Sequence, residues 1–132
     1  MNTKIVMTIS SLIMGATGLI LTFAPDIVMG SLNIETNQTS ILLGQVIGAL
    51  YFGYSMLNWM TKEGLIGGIY KRPIAIANSS HFLIAGLAIV KSLLSNPGLP
   101  RAIWTAGLVY TVLGLLFIII LFRHPINSTD DK

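Results

Sequence analysis

Ile74-Ala75-Ile76-Ala77-Asn78-Ser79-Ser80-His81-Phe82-Leu83-Ile84-Ala85-Gly86-Leu87-Ala88-Ile89-Val90-Lys91-Ser92-Leu93-Leu94 is the stretch whose reading decides the fold of this chain. A bilayer core of about 30 Å needs roughly 20 apolar residues of helix. This run has that length and no acidic residue, yet four consecutive polar residues, Asn78 to His81, lie inside it. In hydrocarbon such groups are costly unless they find partners, so each needs a structural or a functional reason.

Three further stretches of the same kind flank it: Ile5 to Ala24, Ser40 to Met60 and Ile103 to Phe122. Pro25-Asp26 ends the first, because the residue before a proline is pushed out of helical conformation. Gly64 and Gly67-Gly68 separate the second from Pro73, which suits the first turn of the third. Asn96-Pro97-Gly98-Leu99-Pro100 is a short turn into the fourth. The first stretch is expected to be a retained helix and not a cleaved leader: it is longer than an h-region of about 7–15 residues. Pro25 also follows the nearest small-residue site, Thr22-Phe23-Ala24.

Composition agrees with four spans. The 132 residues are 53% hydrophobic and 10% charged, with a mean hydropathy of +0.76. A soluble domain carries about 25% charged residues, so lipid is the main solvent here. The expected fold is all-α: a four-helix transmembrane bundle with short loops and antiparallel neighbours. One domain over residues 1–126 is followed by a polar cytoplasmic tail, 127–132. Cysteine is absent, which excludes disulfides, thiolate metal sites and thiol redox chemistry. No clustered basic face marks a nucleic-acid footprint.

Basic residues set the expected topology. Six of the eight, Lys4, Lys62, Lys71, Arg72, Arg123 and Lys132, fall on the N-terminal, middle-loop and C-terminal side, against Lys91 and Arg101 on the other. The positive-inside rule then places both termini in the cytoplasm of a plasma membrane.

Helices in lipid associate through close contact at small residues and a few hydrogen bonds. Thr8, Ser11, Gly15, Gly18 and Thr22 lie on one face of the first span. The second span carries Gly44-x-x-x-Gly48 and Ala49-x-x-x-Gly53; the fourth carries Ala102-x-x-x-Ala106, Gly107, Thr111 and Gly114. A compact left-handed bundle follows as the expected packing.

On the third span Asn78 and His81 share a face with Ala85, Ala88 and Ser92, whereas the hydroxyls of Ser79 and Ser80 can bond back to carbonyls of their own helix. The antiparallel second span brings Tyr54 and Asn58 to similar depth, beside Tyr51. Tyr54, Asn58, Asn78 and His81 thus form a candidate cluster with three readings. It can be a hydrogen-bond network that fixes helix register, a pocket for a small ligand or lipid headgroup, or a catalytic or proton-relay histidine.

Sharper chemistries lack their residues. All five acidic side chains (Asp26, Glu35, Glu63, Asp130 and Asp131) fall outside the spans. Zinc wants about four N, S or O ligands, so no metal site is expected. A bis-histidine haem would need His124 at the depth of His81, and it lies beyond the fourth span. Ser80 and His81 project differently and cannot pair as nucleophile and base. No cofactor is expected. Lys91 is expected to snorkel to the headgroups.

The middle loop, Lys62 to Pro73, mixes glycines with Lys62, Lys71 and Arg72 beside Trp59 and Tyr70. It reads as an interfacial segment whose cations face anionic lipid. Its other reading is an anion-binding loop before a helix N-terminus, though it lacks the Gly-Lys-Ser/Thr ending of a Walker loop.

Gly44-Gln45-x-x-Gly48-Ala49, Asn58-Trp59, Ile66-Gly67-Gly68-Ile69-Tyr70, Arg72-Pro73 and Asn78-x-x-His81-Phe82 together resemble small uncharacterised bacterial inner-membrane proteins with four predicted spans. The resemblance covers about the middle third of the chain. It implies architecture and bacterial origin, carries no reaction, and groups Gln45, Asn58, Asn78 and His81 as one candidate site. The sequence therefore points to a non-catalytic accessory, scaffold or lipid-interacting membrane protein, with membrane lipids, a second copy or other membrane proteins as partners. The alternative is a bundle that binds or transports a small molecule or lipid in an intramembrane polar pocket around His81. An enzyme using His81 as general acid or base comes third.

Overall fold

The computed structural model describes residues 2–63 and 72–122, which form five helices and no strand. They are α1 (Thr3–Phe23), α2 (Pro25–Ser31), α3 (Gln38–Thr61), α4 (Arg72–Ser95) and α5 (Arg101–Phe122). Four of them, α1, α3, α4 and α5, are long and apolar enough to cross a bilayer. This is the all-α transmembrane bundle that the apolar runs predict. Each long helix starts two residues ahead of its apolar run, because polar caps and first-turn residues belong to the helix as well. Asn2 Oδ1 accepts from the Lys4 N–H at 3.1 Å. Asn37 and Ser40 form a reciprocal capping box at the start of α3, both bonds at 2.9 Å. The Lys71 and Gly67-Gly68 part of the middle loop, His124 and the tail 127–132 lie outside the described residues.

The apolar pattern does not reveal α2. Ala24, at φ −140° and ψ 52°, breaks the helix ahead of Pro25, and Pro25 then opens a new short one at its first position. Asn33, at φ 56°, closes α2. The Asn33 N–H bonds the Gly30 carbonyl at 3.2 Å and the Ile34 N–H bonds the Met29 carbonyl at 2.9 Å. This is a Schellman closure with asparagine in the left-handed position.

Two antiparallel hairpins make the bundle, α1 with α3 and α4 with α5. In the first, Ser11 and Ser55 each donate to the other's backbone carbonyl at 2.8 Å. Two turns further along, Gly18 faces Gly48. A Cβ on Gly18 would stand 2.7 Å from the Phe52 nitrogen and 2.8 Å from the Gly48 oxygen, so the backbones themselves are in contact. The second hairpin is looser: a Cβ on Gly86 or Gly114 would meet the opposing helix at 3.4–3.6 Å. Phe82 and Phe117 stack there with centroids 5.6 Å apart.

The hairpins join mainly at one end. The Lys4–Glu63 ion pair, 2.9 Å, marks that end, where α1 starts and α3 finishes. Val6, Met7, Ala75, Phe82, Leu113, Phe117 and Ile120 form the buried core there. Towards α2 the hairpins stand apart around a crevice of about 570 Å³, lined by residues of all five helices. The packing thus differs from the uniformly compact bundle expected from small residues on every span. The Ala49-x-x-x-Gly53 motif faces outward, with nothing within 4 Å of a Cβ on Gly53. Leu12, Leu50, Ile84 and Leu108 are among the large apolar side chains exposed around the outside, the surface a lipid-solvated bundle needs.

Candidate functional site

Asn58 and Asn78 are both 0% exposed, and their amides close on each other. Asn58 Nδ2 donates to Asn78 Oδ1, and Asn78 Nδ2 donates to Asn58 Oδ1, each at 2.8 Å. The second amide protons are used as well. Asn58 donates to Ser10 Oγ at 3.1 Å and Asn78 to the Ile74 carbonyl at 3.0 Å. Ser10 in turn donates to the Met7 carbonyl at 3.0 Å. Every N–H of this three-helix network has a partner, so burial leaves no amide donor uncompensated. The arrangement joins α1, α3 and α4, and it offers no free amide proton to a ligand.

His81 lies one turn further along α4 in a different setting. Its imidazole sits in a box of rings: Tyr54 stacked at 5.2 Å, Phe82 edge-on at 5.1 Å, Tyr51 edge-on at 5.6 Å and Tyr110 tilted at 5.6 Å. Nε2 is buried and has no hydrogen-bond partner among the described residues. Tyr51 and Tyr110 hydroxyls bond each other across the gap between the hairpins. Tyr54 donates to the Ala77 carbonyl at a long 3.4 Å. A phenol pair shares one proton, so the second O–H remains able to donate.

These rings open onto a recess of about 200 Å³ lined by Met14, Ile47, Leu50, Tyr51, Tyr54 and His81. Leu50 is 65% exposed on the outer surface of α3, so the mouth of the recess faces the lipid. The larger crevice adjoins the recess along Ile47 and Tyr51 and reaches Tyr110. The combined geometry is an apolar space between helices with a few polar groups at its inner end, the usual form of a small-ligand site.

The residues singled out in the sequence therefore divide. Tyr54, Asn58, Asn78 and His81 do come together at one depth, but as a closed amide network beside an open aromatic box. Ser79 bonds back to the Ile76 carbonyl at 3.0 Å, while Ser80 is exposed. Gln45 is exposed and reaches the Thr22 carbonyl at 3.5 Å. Nine residues from Tyr54 along α3, it stands about 13 Å away from that box, so the structure does not group it with His81. Lys62 lies over the Trp59 ring, 2.9 Å from its centroid, Arg72 is exposed at the start of α4, and Lys91 is exposed near the end of α4. No group of three or more His, Asp or Glu side chains gathers among the described residues.

Ser10, Met14, Ile47, Leu50 and Tyr110 are the site residues that sequence reasoning missed. Tyr110 carried a usable signal, since a phenol in mid-span calls for a partner. Ser10 was masked by Ser11, its more conspicuous neighbour on the small-residue face.

Fold and site together define a bundle of membrane-spanning helices with an intramembrane aromatic recess. Family models, curated proteins and solved structures contain no match to the chain.

Proposed function

We propose that this protein binds an amphiphilic molecule dissolved in the membrane, in the seam between its two hairpins. One observation carries the reading: His81 presents a buried Nε2 without a partner at the polar end of an apolar space, while the adjacent asparagines are closed on themselves. A buried group left unsatisfied costs about 1–3 kcal/mol, and a ligand oxygen would recover it. In this reading the asparagine network is the register-fixing element and the aromatic box is the binding element. The setting is a bacterial inner membrane, as the resemblance implies, and the basic-residue bias supports both termini in the cytoplasm. The interfacial Lys62 and Arg72 then face the anionic leaflet. In this reading the protein acts as an accessory or carrier.

Native mass spectrometry of the full chain released from lipid nanodiscs tests this. Retention of a discrete molecule by the wild type, lost in His81→Phe at unchanged thermal stability, is the expected result. A wild type that carries no discrete mass, or one equally retained by His81→Phe, removes the proposal.

A further inference from the structure

Resting on that binding reading, we infer that the ligand is an uncharged amphiphile whose head is a flat ring bearing oxygen, a quinone- or phenol-type group, admitted sideways from the lipid between α3 and α4.

Three observations narrow the chemistry. The first is charge. None of the residues lining the recess or the crevice is ionic apart from the imidazole of His81. The nearest cations along the helices are Lys62 from Tyr54, Arg72 and Lys91 on either side of His81, and Arg101 from Tyr110, each eight to ten residues away. At 1.5 Å per residue that is about 12–15 Å. A phosphate placed at His81 would be buried without a counter-charge, which membrane interiors penalise heavily. A neutral head carries no such cost.

The second is shape. The polar groups of the recess are mounted on rings. Tyr54 and His81 lie nearly parallel, with an interplanar angle of 29°, and Tyr51 presents its edge at 81°. Walls of this kind select flat groups through offset stacking and edge contacts. The third is hydrogen-bond capacity. A neutral imidazole has one donor and one acceptor nitrogen, and the Tyr51–Tyr110 pair has one proton left. Carbonyl and hydroxyl oxygens on a ring use this mixed set, whereas a saturated hydrocarbon uses none of it.

The route follows from the helix pairing. Close backbone packing joins α1 to α3 and α4 to α5, while α3 and α4 meet through side chains: the asparagine pair and Tyr54 with the Ala77 carbonyl. Their seam is therefore latched at the Lys4 end and open beside Leu50. A molecule already in the bilayer reaches His81 without crossing water.

Equilibrium binding to the full chain in nanodiscs, with a short-chain ubiquinone as probe and phosphatidylglycerol as competitor, tests the inference. The expected result is saturable binding near one per chain that phosphatidylglycerol does not displace. Losing one hydrogen bond in His81→Phe should weaken binding about tenfold. Leu50→Trp, which fills the mouth from a lipid-exposed position, should abolish binding without lowering the thermal midpoint. Displacement of the ubiquinone by phosphatidylglycerol, or saturable phospholipid binding sensitive to His81→Phe without ubiquinone binding, overturns the ligand class and leaves the amphiphile reading standing. Absence of saturable binding for both probes overturns both. Ubiquinone binding that survives Leu50→Trp and His81→Phe unchanged overturns the placement.

Discussion

Asn58 and Asn78 show how two polar side chains become tolerable in hydrocarbon: each supplies what the other lacks, and Ser10 and the Ile74 carbonyl absorb the remaining protons. Removing one partner strands the other, so Asn58→Ala is expected to cost about 1–3 kcal/mol. Removing both is expected to cost less than the sum of the single changes, because nothing buried is then left unpaired. A double-mutant cycle of thermal unfolding in detergent reads this coupling. Simple additivity would show that the amide ring contributes nothing as a unit. Glu63 gives a contrasting case at the surface. Its hydrogen bond to Lys4 holds its carboxyl below the ordinary 4.5, with the positive charges of Lys4 and Lys62 adding to the effect. A depressed carboxyl pKa stabilises the fold above the unfolded value and loses that contribution as pH falls through the folded one. The small stability advantage of wild type over Glu63→Gln should thus be present at neutral pH and vanish in acid. It should also shrink in high salt, since the pair is exposed. Thermal midpoints of the two proteins across pH check both points.

At the scale of elements, what the sequence made legible was the helices, and what it left hidden was their pairing. Residue identity alone marks Gly18 and Gly53 as equivalent small residues, yet one is pressed against a backbone and the other faces outward. Small-residue motifs report that close approach is allowed, without saying which helix approaches. Asn78 and His81 were likewise visible as a shared face, but their division into a closed network and an open box depends on Ser10, Tyr51 and Tyr110. Those partners come from three helices whose rotations no periodicity reports. The short α2 is not marked by the apolar runs because it has only seven residues and starts at the very proline that ends the first run. The glycine difference is testable. Gly18→Ala should destabilise by about 1–3 kcal/mol through overpacking against backbone that cannot yield. Gly53→Ala should be neutral, or stabilising by about 0.5–1 kcal/mol from reduced chain entropy. Unfolding of the two variants in the same detergent compares them directly, and equal effects would contradict the Gly18–Gly48 contact.

For the whole molecule, the uneven distribution of core gives the bundle a closed end and an open end. The hairpins share packed rings and aliphatics near Lys4, whereas towards α2 they border the crevice. Relative motion of the hairpins should therefore be largest at the α2 end. The chain has no cysteine, so paired spin labels can be introduced cleanly. Labels at Thr17 and Thr105, both on the crevice wall, should give a broader distance distribution than labels at Ile9 and Ile119. That spread should narrow when a ligand occupies the seam. Equal widths at the two ends would argue for a uniformly rigid bundle.

The Ser10–Asn58 bond also bears on how the chain enters the membrane. Asn58 precedes Asn78 by twenty residues, so it reaches the bilayer while its principal partner is still enclosed upstream of the membrane. Ser10 is already present on α1, and the welded α1–α3 hairpin holds it within reach of that amide. The serine is thus a chaperone built into the sequence, lending Asn58 an interim acceptor until α4 arrives. Ser10→Ala should accordingly reduce the yield of correctly inserted protein more than it lowers the stability of the finished bundle. Cell-free insertion into microsomes, scored against unfolding of the purified variant, separates these two effects.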